Sequence, residues 1–418
     1  MKLIKSYAKT SWEYIGSLVK WMFIAAVLGT LGGILGSVFH LSIDAVTELR
    51  VEHSWLIYLL PLGGLLIALL YGLFRSKGQL DTNRILESVR EGGKVPLVMI
   101  PLIFISTVIT HLFGGSAGRE GAALQLGGGI GYNMGRAFRL NKNDMHIIVM
   151  TGMSSVFAAL FGTPLTAAFF CLEVVSVGVL HYAALVPCVI SAIVAQQIAG
   201  QFGIGPVRFD TVVFPEFSLV ILIQATVLAV LCALVCIVFC MCLKKGEHYM
   251  DKLIPNRYLR PLVGSVILVL LTLVLRTYDY NGAGMDVITR ALQGDARAEA
   301  FLLKIVFTAI TIAAGFKGGE IVPAFFIGST FGCIVGPLLG LEASFGAAIG
   351  FVALFCGVVN CPVASVFLSL EVFGTEGILI FALVCAVTYL MSGYFGLYRS
   401  QKIVYSKLNA EYIDMNTK

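Results

Sequence analysis

Long apolar runs separated by short polar stretches set the plan of this chain. Residues 19–39 are long enough to cross a bilayer, and residues 40–54 after them carry Asp44, Glu48 and Glu52 against one arginine, which reads as an external loop. Residues 56–74 span back to Arg75 and Lys77. A polar stretch, 78–94, then precedes the apolar run 95–113. A glycine-rich break follows, and after it residues 136–142 are basic and read as cytosolic. Residues 146–179 are almost uncharged apart from Glu173, residues 183–204 are apolar, and the linker 205–218, with Pro206 and Pro215, looks external. Residues 219–243 start the pattern again, but the loop after them, 244–260, is basic where its counterpart after the first span is acidic. A positive-inside bias that reverses between halves is what an inverted-topology repeat produces.

Composition agrees with this reading. Of 418 residues, 58% are hydrophobic and 13% charged, with a mean hydropathy of +0.90, against about 25% charged in soluble domains. The chain is a polytopic membrane protein whose surroundings are the lipid bilayer. Its 45 glycines suit close helix packing in lipid. A net charge of +5, carried mostly at the ends and in loops, gives no reason to expect nucleic acid. The ten cysteines sit in apolar runs without paired zinc-ligand spacing, and the six histidines are scattered singly, so neither a metal nor a cofactor is expected. Residues 1–20, with four lysines and interspersed aromatics, read as a cytosolic amphipathic lead-in and not as a cleaved signal. The roughly twenty polar residues after Tyr398 are too short for a regulatory domain.

Residue matches make the repeat countable. A shift of 201 lays Gly127, Gly131 and Gly135 on Gly328, Gly332 and Gly336, and Ala122 on Pro323. A shift of 198 lays Phe157, Pro164, Phe169, Leu172, Glu173 and Val174 on Phe355, Pro362, Phe367, Leu370, Glu371 and Val372. The expected architecture is all-α, in two inverted repeats of tilted and broken helices, at about 19–205 and 215–400. Under the first shift the segment Gly114-Gly115-Ser116-Ala117-Gly118-Arg119-Glu120-Gly121 falls on the stretch that ends Gly318-Gly319-Glu320-Ile321-Val322-Pro323. Charges at membrane depth are costly and mark ion or proton paths, and glycine with a helix start offers amides to an anion. Both motifs are expected to converge near the midplane as an anion site with a titratable gate.

These residues resemble the CLC family of chloride channels and anion/proton antiporters: Gly118-Arg119-Glu120-Gly121, the run from Gly319 to Pro323, the inverted repeat, and a tyrosine near the end of the last span. The likeness covers nearly the whole chain and implies a homodimer with one independent anion pathway per subunit. The segment from His111 to Gly121, and Gly318-Gly319-Glu320 before Pro323, look more like the fluoride-transporting branch than the chloride branch. Two departures from the chloride members stand out. Their Gly-Ser-Gly-Ile-Pro signature is replaced here by Gly78-Gln79-Leu80-Asp81-Thr82-Asn83, and Val174 stands where their proton-coupled antiporters carry an inner glutamate.

The resemblance assigns roles. Glu120 maps onto the gating glutamate, whose carboxylate occupies the anion site and leaves it on protonation; the alternative is an ion pair with Arg119. Glu320 is the second gating or proton-coupling candidate, and its alternative is a pair with Lys317 three residues earlier at helical spacing. Gly118, Arg119, Gly121, Ile321 and Val322 are the anion-site candidates of the two motifs, with Arg119 more a structural or field-setting residue than a ligand. Tyr398 matches the pore tyrosine, with Tyr394 a near alternative, and Asp81 or Thr82 takes the serine-equivalent place. Glu173 and Glu371 are read as interfacial or helix-terminal. The function implied is halide transport, foremost fluoride/proton antiport exporting fluoride, with protons and fluoride or chloride as the transported partners. The runner-up is a chloride channel or chloride/proton antiporter of the same fold. An intramembrane enzyme is not expected, because it needs a nucleophile with a partner base or a metal pair. The expected location is a cell membrane, crossed many times, with both termini cytosolic.

Overall fold

In a computed structural model the chain is described over residues 2–74 and 81–418, with side chains from residue 11 onward. The first half holds α1 Lys2–Glu52, α2 Leu60–Leu73, α3 Thr82–Glu91, α4 Met99–Leu112, α5 Glu120–Ala137, α6 Lys142–Phe161, α7 Pro164–Glu173 and α8 Leu185–Gln201. The second holds α9 Leu219–Leu253, α10 Leu259–Leu275, α11 Met285–Leu292, α12 Ala300–Ala313, α13 Ile321–Leu338, α14 Ala343–Val359, α15 Pro362–Phe373 and α16 Ile378–Met391. Among the described residues, six helical stretches are long and apolar enough to cross a membrane, and seven apolar helices are shorter. This is an all-α membrane architecture of two inverted repeats.

Two expected loops are helical. The acidic stretch 40–52 belongs to α1, which runs on to Glu52 because residues 40–52 contain no Gly or Pro and His40 pairs with Asp44 one turn on, at 2.9 Å. Its 51 residues amount to roughly 76 Å, so the helix absorbs the N-terminal lead-in as well as the span. Residues 244–253 likewise extend α9 until Ile254, which leaves the helical region as a residue before proline tends to.

The halves repeat one local device. α6 closes on Gly162 and α14 on Asn360, both left-handed; a non-helical residue follows, and Pro164 or Pro362 opens the next helix at its first turn, where a missing N–H is harmless. The glycine rows matched in sequence face neighbouring backbones: a Cβ at Gly127 would drive into the carbonyl of Gly152 on α6, and one at Gly328 into that of Gly350 on α14.

Glu173 and Glu371 cap helices of the opposite half. Glu173 accepts from the amides of Val363 and Ala364 at the start of α15 (3.2 and 2.8 Å). Glu371 accepts from Leu165 and Thr166 amides at the start of α7 (2.9 and 2.8 Å) and from the Thr166 hydroxyl (2.6 Å). The matched Phe169 and Phe367 stack beside them at 4.3 Å. A carboxylate on a helix N-terminus satisfies donors that otherwise go unmet. Glu371→Ala is therefore expected to cost about 2 kcal/mol, the size of losing a charged cap, read as a lower melting temperature in detergent; an unchanged melt would refute the reading.

The tail forms strands. β2 (Lys402–Tyr405) pairs in parallel with β1 (Ser176–Val177), which follows α7, and antiparallel with β3 (Tyr412–Asn416). Lys407, in the turn of this hairpin, donates to Asn360 Oδ1 (2.5 Å), the Tyr389 carbonyl (2.8 Å) and Ser392 Oγ (3.1 Å). Burial pushes its ammonium down to about 8. The folded state then binds less proton than the unfolded chain between pH 8 and the ordinary lysine value, so this group's contribution to stability rises with pH across that window. The melting temperature of the wild type should therefore gain on that of Lys407→Met between pH 7.5 and 10; a constant difference would contradict it.

Candidate functional site

The two glycine-rich breaks meet head to head. Gly118 and Gly319, equivalent under the repeat shift, exchange two backbone hydrogen bonds in a single antiparallel bridge (2.6 and 2.7 Å). Two residues after each glycine a helix starts, α5 at Glu120 and α13 at Ile321, so both helices point their unpaired amides and positive dipole ends toward the junction. Only glycine permits this approach. A Cβ at Gly118 would collide with the Glu120 carboxylate, and one at Gly319 would lie 2.5 Å from the Gly121 amide nitrogen.

Glu120 lies at the centre, with no solvent exposure. Its Oε2 accepts from the Val322 amide at 3.3 Å, and its Oε1 has no partner. Arg119 does not neutralise it; that guanidinium donates to Asp44 of α1 at 2.9 Å. A carboxylate so placed needs a proton or the amides of a helix start, because a bare buried charge is strongly unfavourable.

Two cavities flank it. The first, about 230 Å³, is lined by Asp81, Thr82, Gln125, Lys317, Glu320 and Tyr398, with Lys244, Arg260 and Arg399 at its mouth. Thr82 is buried there and donates to the Gly121 carbonyl at 3.3 Å. Asp81 caps α3 by accepting from the Arg84 amide at 3.1 Å, so its carboxylate is engaged by its own helix. Residues 78–80 of the same window lie outside the described residues. Tyr398 is 3% exposed and its hydroxyl has no partner, while the hydroxyl of Tyr394 is spent on Ser406 at 2.9 Å. The second cavity, about 280 Å³, is lined by Asp44, Arg50, His111, Arg119 and Val322 among others. Glu120 lines neither; its neighbours do, Val322 on one side and Thr82 on the other.

Glu320 is half-buried on the first cavity, and no ion pair joins it to Lys317 among the described residues. Helical spacing does not apply, because α13 begins only at Ile321. Lys317 instead lies 4.7 Å from the ring of Tyr71. Ile321 is fully buried just inside the helix start. Gln125 was missed from sequence: it is 4% exposed, donates to Thr82 Oγ1 at 3.2 Å, and leaves its Oε1 free on the cavity. Its signal was an amide in a run of Ala, Leu and Gly one and a half turns after Glu120. The tail also reaches the site, since the Ser400 amide donates to Asn83 Oδ1 at 3.0 Å and Thr417 donates to the Tyr398 carbonyl at 2.6 Å.

Fold and site together define an integral membrane protein of inverted repeats, closed around a buried glutamate between two cavities of about 230 and 280 Å³. The chain belongs to the voltage gated chloride channel family, whose model matches residues 63–393. A chloride/fluoride channel protein of Pseudomonas syringae pv. tomato is 36% identical over 400 residues, 93% of this chain and 88% of that one. The crystal structure of a CLC-type fluoride/proton antiporter superposes with a TM-score of 0.87 at 31% identity, covering 92% of this chain and 98% of that chain. A slow cyanobacterial Cl−/H+ antiporter, at 20% identity and a TM-score of 0.75, shares the fold over 89% of this chain and 94% of its own.

Proposed function

We propose that this protein is a halide/proton antiporter that exports fluoride in exchange for protons, one pathway per chain of a homodimer, from a cell membrane with both termini in the cytosol. The observation that carries it is Glu120: one carboxylate oxygen on the Val322 amide, the other without a partner, the neighbouring Arg119 paired with Asp44, and a cavity on either hand. The first cavity is the inner one, because Lys244, Arg260 and Arg399 stand at its mouth and basic residues collect on the cytosolic side. The second is then external. The repeats divide at about 19–205 and 215–400.

Deprotonated, Glu120 competes with an anion for the amides of Ile321 and Val322 and closes the path. Protonated, it leaves the helix start to the anion and carries one proton, so one group couples opposite flows. Tyr398 and the helix-start amides are hydrogen-bond donors that replace the water of a small, strongly hydrated anion, and Thr82 joins them when its hydroxyl turns from the Gly121 carbonyl. Gly118 and Gly121 let the backbone close around it, and Arg119, held by Asp44, raises the positive potential. Glu320, on the inner cavity, relays protons between the cytosol and Glu120; Asp81, beside Thr82, orients α3 there. The 31%-identical fluoride/proton antiporter and the Pseudomonas relative named for both halides support fluoride as the substrate.

A chloride-conducting channel is the second reading, favoured by Val174, a fully buried apolar residue where a proton-carrying side chain would otherwise stand. Purified protein in liposomes, with fluoride and chloride gradients run side by side against an external pH electrode, separates the two. Uphill proton movement driven by fluoride and not by chloride supports export of fluoride. Anion movement without protons would overturn antiport.

A further inference from the structure

The outer cavity holds buried cationic and basic groups that the pathway does not use. Arg50, at the end of α1, packs against the backbone of Gly114 and Gly282, has no carboxylate within 4 Å among the described residues, and its buried Nε has no acceptor. Lys304 of α12 is fully buried just behind the wall, and its ammonium meets only the carbonyls of Gly282 (2.7 Å) and Tyr280 (3.2 Å) and the face of Phe326. His111, 1% exposed on the last turn of α4, donates from Nδ1 to the Thr107 carbonyl at 2.9 Å, which leaves Nε2 as a buried lone pair with no partner. The carboxylates on this cavity are committed to other partners or stand more than 4 Å from Arg50. Asp44 serves Arg119 and His40, Asp279 serves Arg290, and Asp286 is exposed at the rim.

A half-buried guanidinium with no carboxylate within 4 Å among the described residues, beside a buried imidazole acceptor with no partner, calls for a small anion and a proton. We propose that this cavity is a second anion site, outside the gate, in which a monovalent halide sits on the Arg50 guanidinium and His111 takes a proton on Nε2 as the anion binds. Protonated Nε2 becomes a donor to the anion, so each ligand strengthens the other by an amount linkage makes reciprocal. Arg50 of α1 and Arg119 before α5 share the cavity with His111, Lys304 lies behind its wall, and of the carboxylates there Asp44 is held by Arg119 while Asp279 and Asp286 stand at the rim, so an anion bound among these cations favours a proton on His111. At about 280 Å³ the site admits a halide together with several waters. It is a station where a fluoride leaving Glu120 and a proton approaching it can be held together. This rests on the antiport reading for direction, though not for binding.

The test is calorimetric titration of the purified protein with sodium fluoride, and in parallel with sodium chloride, at pH 6 in two buffers of different ionisation heat. Glu120→Gln is the parent, so that the gate's own proton is not counted. Arg50→Met on that parent is expected to weaken one binding component at least about ten-fold, the size of a lost charge-assisted hydrogen bond, whereas Arg50→Lys keeps most of it. His111→Asn retains a donor to the Thr107 carbonyl but has no Nε2, and should bind with less proton uptake than the parent. Should Arg50→Met fail to purify, His111→Asn carries the test alone. Affinity, stoichiometry and proton uptake matching the parent in both variants would overturn the site. Chloride binding in place of fluoride would leave the site standing and count against fluoride export instead.

Discussion

Glu120→Gln is expected to leave halide movement in place and to stop the proton movement that accompanies it. The amide is nearly isosteric with the acid, so the fully buried pocket and the start of α5 are kept. What changes is that Gln carries no charge to compete with an anion for the Val322 amide, which Glu120 now accepts from at 3.3 Å, and no site to load a proton. The conformation resembles the protonated state permanently. Proton flux driven by a fluoride gradient should fall about a hundred-fold or more, the scale on which positioned proton carriers act, and an electrode outside fluoride-loaded vesicles would read the loss. Glu320→Gln, on the inner cavity, is the comparison that locates the inner end of the proton path. If Glu120→Gln protein still drives protons uphill at the wild-type rate, Glu120 is not the coupling group and the buried orphan oxygen needs another account.

Sequence made some of this legible for local reasons. Hydropathy reports spans because each apolar run must satisfy its own backbone in lipid, and paired glycines report close approach, so Gly127 and Gly328 could be matched before their neighbours were known. Charge reversal between 40–54 and 244–260 gave the inverted repeat correctly even though both stretches are helical, since the bias depends on side and not on secondary structure. What sequence did not show was the partner in each long-range pairing. Arg119 stands next to Glu120 in sequence, yet it pairs with Asp44, 75 residues away, because α1 passes its end there. The cross-half caps by Glu173 and Glu371 could be read as helix-terminal from their place after apolar runs, but not as caps on the other half's helices. The hairpin 402–416 was invisible because its parallel partner is a two-residue strand in the other half, Ser176–Val177. Gln125 carries no motif; its role is set by Thr82 opposite it.

Gly319→Ala tests the junction itself, and its effect should rival that of the gate. A methyl at this position would stand 2.5 Å from the Gly121 amide nitrogen, 3.0 Å from that of Glu120 and 3.1 Å from the Glu120 carboxylate. Two of the three atoms are backbone at the first turn of α5, so no flexible side chain can yield. Either α13 moves away or the bridge to Gly118 opens, and both separate the amides from Glu120. Overpacking of a filled site costs about 1–3 kcal/mol, and losing two backbone bonds about 1 kcal/mol each. Gly200→Ala is the counterpart: it sits within α8, ordinary in φ, with nothing within 4 Å of its would-be Cβ. There the smaller backbone entropy of alanine should add about 0.5–1 kcal/mol. The two variants should therefore move the melting temperature in opposite directions, with halide flux lost only in Gly319→Ala. A Gly319→Ala protein that melts and transports like the wild type would show that the meeting of the two motifs is incidental, and that the anion is held by side chains alone.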